Sequence, residues 1–392
     1  MRMKTTIAAI ALTAAIPSTA FAQACGGDFA AWREGVAQEA ASMGVGQEGL
    51  SALSGASISQ RVLDRDRSQS VFNMTFRDFA NRLISENRLQ NGKRNLEKYA
   101  DVFARGESEF GVPGPVIAAF WALETDFGAV QGDFNTLDAL ATLSHDCRRP
   151  ELFRPELIAL LQLIDQGTVS PDVQGAWAGE IGQMQMLPSD YLHKGMDGDG
   201  DGKVDLKASS PDAILTAARA ISELGWKAGE PWLEEVKLPA DLPWAQTGRN
   251  TKLPRSEWAA MGVTQRDGSP LPADGLQASI LLPMGHKGVA FMVYDNFDIY
   301  LEWNKSLVYT LTAAHLATRY SGAPDFDAGN PEEGLAPEAM KLLQRKLADR
   351  GHDVGEIDGI LGLGTRTAVR EEQLRLGLPA DGWPTPTLLS NL

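Results

Sequence analysis

Ala118-Ala119-Phe120-Trp121-Ala122-Leu123-Glu124-Thr125-Asp126-Phe127-Gly128 is an apolar run that ends on a carboxylate. Pro113 and Pro115 open the run and Gly128 closes it, so it predicts a short buried helix. Helical spacing sets Ile117, Phe120, Trp121 and Glu124 on one face. An anion there is opposed by desolvation and by the negative end of the helix dipole. Both effects raise its pKa, which suits a general acid working near neutrality. The same residues also allow a plainer reading, an acid paired with an arginine, since structural ion pairs perturb pKa too.

Outward from this run the chain reads as mainly α. Amphipathic stretches begin at Phe29-Ala30-Ala31-Trp32, cover 96–103 and run through 152–164, where Leu157, Leu160, Leu161 and Ile164 recur at helical spacing. Residues 175–205 are rich in Gly and Asp and form a loop region, and 211–224 returns to helix with Asp212 near its start. Prolines are dense over 231–283, which excludes long helices. Residues 280–301 predict short strands around Val289-Ala290-Phe291-Met292-Val293, and 304–320 predicts helix. Residues 321–337 carry the composition of a linker. Beyond it Met340, Leu343 and Leu347 make one helical stripe that Gly351 stops. Asp358-Gly359 and Asp381-Gly382 mark turns, each followed by a threonine (Thr365, Thr385) placed to cap the next helix. Two related half-units in so small a domain require a tight core.

The length of 392 residues allows two domains. Residues 1–22 have the form of a secretion signal: Arg2 and Lys4, an apolar core over 7–16, then Ala20-Phe21-Ala22. The apolar core is too short to span a bilayer, so no transmembrane segment is expected, and the mature chain should start near Gln23 in the periplasm. Cys25 and Cys147 then meet an oxidising compartment and predict a disulfide. Lipidation of Cys25 is the alternative, although Ala22-Gln23-Ala24-Cys25 lacks the usual leucine. A net charge of −15 argues against nucleic acid and anionic membranes and leaves a glycan open as partner. Five His and two Cys leave few ligands for zinc or iron.

Two further stretches carry chemistry. In Ala176-Trp177-Ala178-Gly179-Glu180-Ile181-Gly182-Gln183-Met184-Gln185-Met186-Leu187-Pro188-Ser189, Gly179 and Gly182 permit close backbone approach. Gln185 offers a donor and an acceptor there, and Trp177 a face on which a sugar can stack; taken alone, a turn packed under a Trp explains the stretch equally well. Asp197-Gly198-Asp199-Gly200-Asp201-Gly202-Lys203 sets carboxylates at positions 1, 3 and 5 of an EF-hand-like loop, with Gly202 at the sharp turn and the Lys203 carbonyl available. The twelfth position is Ala208 instead of glutamate. A solvated acidic turn is the alternative to a structural Ca²⁺ site.

Taken together, Glu124-Thr125-Asp126-Phe127-Gly128 and Gly179-x-x-Gly182-x-x-Gln185-x-x-Pro188-Ser189 resemble the lytic murein transglycosylase B family. Leu224-Gly225-Trp226-Lys227-Ala228-Gly229-Glu230-Pro231-Trp232 and Asn304-Lys305-Ser306-Leu307-Val308-Tyr309 extend the resemblance over most of 28–322. The tail, with Leu343-Gln344, Asp358-Gly359, Gly364-Thr365 and Ala368-Val369, resembles the helical peptidoglycan-binding domain. The implied fold class is mainly α (α+β): a lysozyme-like helical catalytic domain over 23–322 with small β elements, a linker over 323–336 and a small three-helix domain over 337–392. The implied partner is the glycan strand of peptidoglycan, with no partner protein identified.

The implied reaction cleaves the β-1,4 bond between N-acetylmuramic acid and N-acetylglucosamine without adding water and leaves a 1,6-anhydro end. It uses no cofactor, and one glutamate, Glu124, serves as both acid and base. The resemblance also makes Gln185 a partner of Glu124 or of the substrate N-acetyl group. It sets Arg148 and Arg149 near the peptide stem, Tyr309, Asn304 and Trp303 in the cleft, and Asp212 as the later acid that completes the calcium loop. Asp126 is assigned no chemistry. Ala176, Trp303 and Phe79 stand where the family often has serine, tyrosine and tyrosine, so hydroxyl contacts are lost there. Glu372 stands where an aromatic is usual, which weakens the case for glycan binding by the tail. A hydrolytic muramidase on the same scaffold and a non-catalytic wall-binding protein are the alternatives.

Overall fold

A computed structural model describes residues 25–68 and 74–392. The expected secretion signal, residues 1–22, lies outside the described residues. Helices α1 (Phe29–Ser42), α2 (Gln47–Gly55), α3 (Gln60–Asp66), α4 (Phe76–Leu83), α5 (Glu86–Lys98) and α6 (Ala100–Phe110) lead to α7 (Gly114–Thr125). Then come β1 (Phe134–Asn135), α8 (Thr136–His145), α9 (Pro150–Asp165), β2 (Gln174–Gly175), α10 (Pro188–Lys194) and α11 (Ser210–Glu223).

Helix α7 is the centre. It packs against α5, α6, α11 and α14 (Leu307–Tyr320). Val116 to Ala122 are buried without interruption, so the helix is enclosed on every side and is not a one-faced amphipathic helix. Leu123 and Glu124 alone in its last two turns stay half-buried. The single amphipathic stretch expected over 96–103 is instead two helices that meet at Tyr99, the cap residue of both.

The Pro-dense region builds a five-stranded antiparallel sheet of order β4-β6-β7-β3-β5. Its strands are β3 (Leu233–Lys237), β4 (Leu253–Pro254), β5 (Thr264–Gln265), β6 (Gln277–Leu281) and β7 (Ala290–Val293), with α12 (Arg255–Ala260) between β4 and β5. Strand β7 is apolar on both faces because it serves two cores. Phe291 and Val293 join the main helical core, while Ala290 and Met292 join a second core around Trp258, Ile280 and Tyr294. The strands expected over 280–301 stop at Val293; Asp295–Trp303 is helix α13.

The tail has the three expected helices, α15 (Pro337–Asp349), α16 (Leu363–Arg375) and α17 (Pro386–Asn391), around Met340, Leu343, Leu347, Ala368, Val369 and Leu388. Its half-units are built alike. Gln344 Oε1 accepts from Gly359 N at 2.8 Å and Gln373 Oε1 from Gly382 N at 2.8 Å, so each helix grips its own Asp-Gly turn. Thr385 caps α17 as expected, but Thr365 lies inside α16, buried, and its hydroxyl bonds Val354 O. Glu372, where an aromatic is usual, is buried and bonded to His352 and Arg375.

The segment with linker composition is tacked to the helical domain. Phe326 packs on Phe76 with ring centroids 5.0 Å apart, Gly288 bridges Gly329, and Asn330 N donates to Lys287 O at 2.8 Å. The tail is docked as well: Arg366 Nη2 donates to Pro283 O at 2.7 Å, and His286 Nδ1 meets Asp381 Oδ2 at 2.7 Å. Among the described residues no helix is long and apolar enough to cross a membrane.

Candidate active site

Helix α7 ends abruptly one residue past Glu124. Asp126, Phe127 and Gly128 have φ of 52°, 62° and 86°, a left-handed turn that only glycine adopts without strain. Several contacts hold it: Arg88 Nε donates to Asp126 Oδ1 at 3.1 Å, and Gly128 N to Thr125 Oγ1 at 2.8 Å. Asp126 is thus turned away from Glu124 into an ion pair, in keeping with its lack of assigned chemistry.

Gln183 locks this turn to the Gly179–Gly182 loop. Its Oε1 accepts from Trp121 Nε1 at 3.1 Å and its carbonyl from Thr125 Oγ1 at 2.6 Å, so it grips α7 on either side of Glu124. The two glycines of the loop are required. A Cβ on Gly179 would lie 2.4 Å from Leu140 Cδ2 and one on Gly182 2.5 Å from Leu206 O, and both have positive φ.

Glu124 meets two neutral donors. Tyr309 Oη donates to Glu124 Oε1 at 2.5 Å and Trp303 Nε1 to the same oxygen at 2.9 Å. Oε2 accepts no hydrogen bond among the described residues. Tyr309 is set by Ser306, which caps α14, and Asn304 Oδ1 fixes that cap by accepting from Ser306 N at 2.9 Å. Trp303 leans on Phe120, which stacks on Tyr300 at 4.8 Å. Burial raises the Glu124 pKa above the ordinary carboxylate range, and the bonds from Tyr309 and Trp303 oppose the rise only in part. Burial, with Glu124 alongside, holds the Tyr309 hydroxyl far above its ordinary range, so it remains a neutral donor.

The other residues singled out in the sequence are placed as follows. Gln185 has φ of 49° and its amide donates to Gly182 O at 2.9 Å and Gln131 O at 3.4 Å, so it braces the loop and does not bond Glu124. Trp177 is half-buried against the main core. Arg148 and Arg149 converge on Asp66, which is 3% exposed; Arg148 Nη1 donates to its Oδ2 at 2.6 Å. Burial alone would raise Asp66, but the two guanidinium groups outweigh it and hold the carboxyl below its usual range. Next to them Cys25 and Cys147 form the expected disulfide.

The acids of the Gly-Asp loop are brought together only in part. Asp197, Asp199 and Asp212 each offer a carboxylate oxygen within 4.8 Å of the others. Asp212 is 1% exposed and accepts from Gly198 N and Asp205 N at 2.8 and 2.7 Å. Asp201 lies outside that cluster and accepts from Lys203 N at 2.9 Å.

Glu180 was not singled out in the sequence. Its Oε2 is buried without a hydrogen-bond partner among the described residues. A cleft of about 1090 Å³ lies between the helical domain and the tail, with Asn304 among its lining residues; Glu124 does not line it.

Residues 28–318 match the transglycosylase SLT domain family, and residues 337–392 match a peptidoglycan binding domain family. The chain is similar to SltB3 from Pseudomonas aeruginosa, crystallised in complex with NAG-anhNAM-pentapeptide. The identity is 36%, the TM-score 0.86, and the match covers 93% of this chain and 99% of that one. Escherichia coli Slt35 in complex with calcium is 29% identical, with a TM-score of 0.64 over 79% of this chain and 98% of that one. Membrane-bound lytic murein transglycosylase B of Escherichia coli (strain K12) is 32% identical over 241 residues. That match spans 61% of this chain and 65% of the relative, just under two thirds of its length. The mainly helical, lysozyme-like fold expected from the motifs is therefore the fold observed. With most of its length inside one family match and its tail inside another, the chain belongs to the transglycosylase SLT domain family of lytic murein transglycosylases.

Proposed function

We propose that this protein cleaves the β-1,4 bond between N-acetylmuramic acid and N-acetylglucosamine in peptidoglycan and leaves 1,6-anhydro ends, with Glu124 as the one acid and base. The observation that carries the reading is the state of Glu124: a half-buried carboxyl of raised pKa, with neutral donors on Oε1 and Oε2 left for substrate.

Glu124 Oε2 gives its proton to the glycosidic oxygen, and the C1–O bond breaks with its electron pair going to that oxygen. The substrate's N-acetyl oxygen steadies the positive charge at C1. The Glu124 carboxylate, held by Tyr309 and Trp303, takes the proton of the C6 hydroxyl, and O6 bonds to C1. The net result restores the protonated glutamate and consumes no water, unlike two-carboxylate glycosidases. The anhydro ligand held by SltB3 supports this product class. Trp177, Gln185 and Asn304 serve the substrate groove, and Arg148 and Arg149, though paired with Asp66, stay partly exposed on their other side toward a peptide stem. The tail holds the wall, and the secretion signal sends the protein to the periplasm.

The test is mass spectrometry of digested sacculi. Anhydro ends are the expected product. Reducing ends would assign a hydrolytic muramidase, and binding without release would assign a wall-binding protein.

A structural Ca²⁺ belongs to the same proposal. Asp197, Asp199 and Asp212 fit a hard cation that takes oxygen ligands, with Asp201 and the Lys203 carbonyl as further oxygens of the loop. A Ca²⁺ ion is bound by Slt35. The ion would fix the loop that leads into α11 and take no part in proton transfer. Calcium at about 100 times its Kd should stabilise the fold by roughly 2.7 kcal/mol. Thermal melts with Ca²⁺ and with a chelator check this, and Asp212→Asn should abolish the difference.

A further inference from the structure

Where the tail meets the sheet-bearing domain, a small cavity carries positive charge that the protein does not balance. It measures about 190 Å³ and lies between α16, residues 248–250 and the residues that follow β6. Arg366 and Arg370 line it, four residues apart on α16, and among the described residues neither is in an ion pair. Arg366 donates from Nη1 to Leu282 O at 3.3 Å and from Nη2 to Pro283 O at 2.7 Å, and lies over the Trp383 ring, 5.8 Å from its centroid. Its Nε is buried without a hydrogen-bond partner. Arg370 donates from Nε to Ala380 O at 3.2 Å. Its guanidinium is laid against Gly248, where a Cβ would stand 2.4 Å from Nη1, and among the described residues neither Nη has a hydrogen-bond partner.

Asp381 is the one acid on the lining among the described residues, and both of its oxygens are taken. Oδ1 accepts from Gln373 Nε2 at 2.8 Å and Trp383 N at 2.9 Å; Oδ2 accepts from His286 N at 3.0 Å and meets His286 Nδ1 at 2.7 Å. Arg249, the third arginine of the lining, is paired with Asp298 at 2.9 Å. Helix α16 also starts here: Leu363 and Gly364 are its first two residues, and no side chain caps its first N–H groups. Such a terminus adds partial positive charge. Burial, with Arg370 alongside, lowers Arg366 to about 10 while Asp381 opposes the fall, and burial lowers Arg370 too.

Two guanidinium charges against one carboxylate leave a single positive charge, so a monoanion balances the cavity and a dianion overshoots it. The volume is below the range of about 300–1,000 Å³ for sites that enclose drug-sized ligands, which leaves out a disaccharide and admits the end of a short peptide. Leu307, Leu311 and Leu363 give one apolar wall that suits a small aliphatic group. We propose that the cavity binds the terminal carboxylate of a peptide ending in a small aliphatic residue, with Arg366 Nε and the Arg370 Nη groups as its donors. The ligand would touch the tail and the sheet-bearing domain at once and hold their seam closed. The inference rests on the tail holding the wall and not on Glu124.

Calorimetric titration of the full-length protein with D-alanyl-D-alanine tests it. Saturable binding is expected, weakened roughly 10- to 100-fold in Arg370→Gln, which removes a charged donor. Arg370→Lys, which keeps the charge without the fork, should fall between the two. The dipeptide's C-terminal amide, which has no charge to offer, should not bind. Equal binding of dipeptide and amide, or by Arg370→Gln and the unsubstituted protein, overturns the site. Binding of inorganic phosphate in place of the dipeptide overturns the monoanion, and propionate binding as tightly as the dipeptide overturns the peptide. Should Arg370→Gln fail to fold, the arginine Nε–H signals of the unsubstituted protein decide by NMR: the dipeptide should shift that of Arg366, and an unmoved signal overturns the proposal. A protein that retains sacculi without taking the dipeptide loses this site and keeps its hold on the wall; one that does not retain sacculi refutes the reading beneath it.

Discussion

Glu124→Gln should cut the release of anhydro ends from sacculi by about 10³-fold or more. A positioned acid or base contributes roughly 10²–10⁴-fold, and this one side chain makes both proton transfers. Glutamine keeps the shape and can still accept from Tyr309 and Trp303 through its carbonyl oxygen, so the fold should survive. The stability change carries its own signature. The folded-state pKa of Glu124 is raised by burial, so below the unfolded value the group does not favour either state. As pH rises through the raised value the folded protein must either hold a proton that the unfolded chain has released or bury a charge, and stability falls. The variant has no such group. Its melting temperature should match the unsubstituted protein in acid and exceed it at neutral and higher pH. Turnover that survives the substitution would remove Glu124 from the chemistry.

Breaking the Cys25–Cys147 bridge should be the largest single loss of stability. The two residues are 122 apart in sequence, so the bridge closes most of the first half of the catalytic domain into one loop. Loop entropy for a ring of that size is worth about 4–5 kcal/mol. The bridge also backs the Arg148–Arg149 clamp on Asp66, which joins α3 to the start of α9. Cys25→Ser with Cys147→Ser, unfolded in urea beside the unsubstituted protein, should show a midpoint lowered to match. Equal midpoints would mean that the thiols are not joined in the mature protein.

Much of the site was legible because it is local. Prolines and a glycine bracket α7, and the apolar run between them announces a buried helix with one acid at its mouth. The spacing of acids in the Gly-Asp loop is likewise a short-range pattern; Asp197 and Asp199 meet, Asp201 does not join them, and Asp212, which the resemblance supplied, does. What periodicity could not supply are contacts between distant segments. Trp303 and Tyr309 reach Glu124 from 179 and 185 residues away, and only the family resemblance set them in the cleft. Gln185 was expected to meet Glu124 or the substrate N-acetyl group; its left-handed backbone aims its amide into its own loop and away from Glu124, and Gln183 ties that loop to α7. Glu180 gave no signal because a single acid in a glycine-rich loop reads as solvent-facing until its surroundings are known. The tail's half-units were visible in their Asp-Gly turns. The segment before them read as a free linker because one aromatic, Phe326, among polar residues does not reveal that it is an anchor.

Tyr309 and Trp303 both occupy the same oxygen of Glu124. On the proposed chemistry that leaves a single doorway for two visitors. The departing sugar and the incoming C6 hydroxyl must use it in turn, so the severed strand has to step aside before the ring can close.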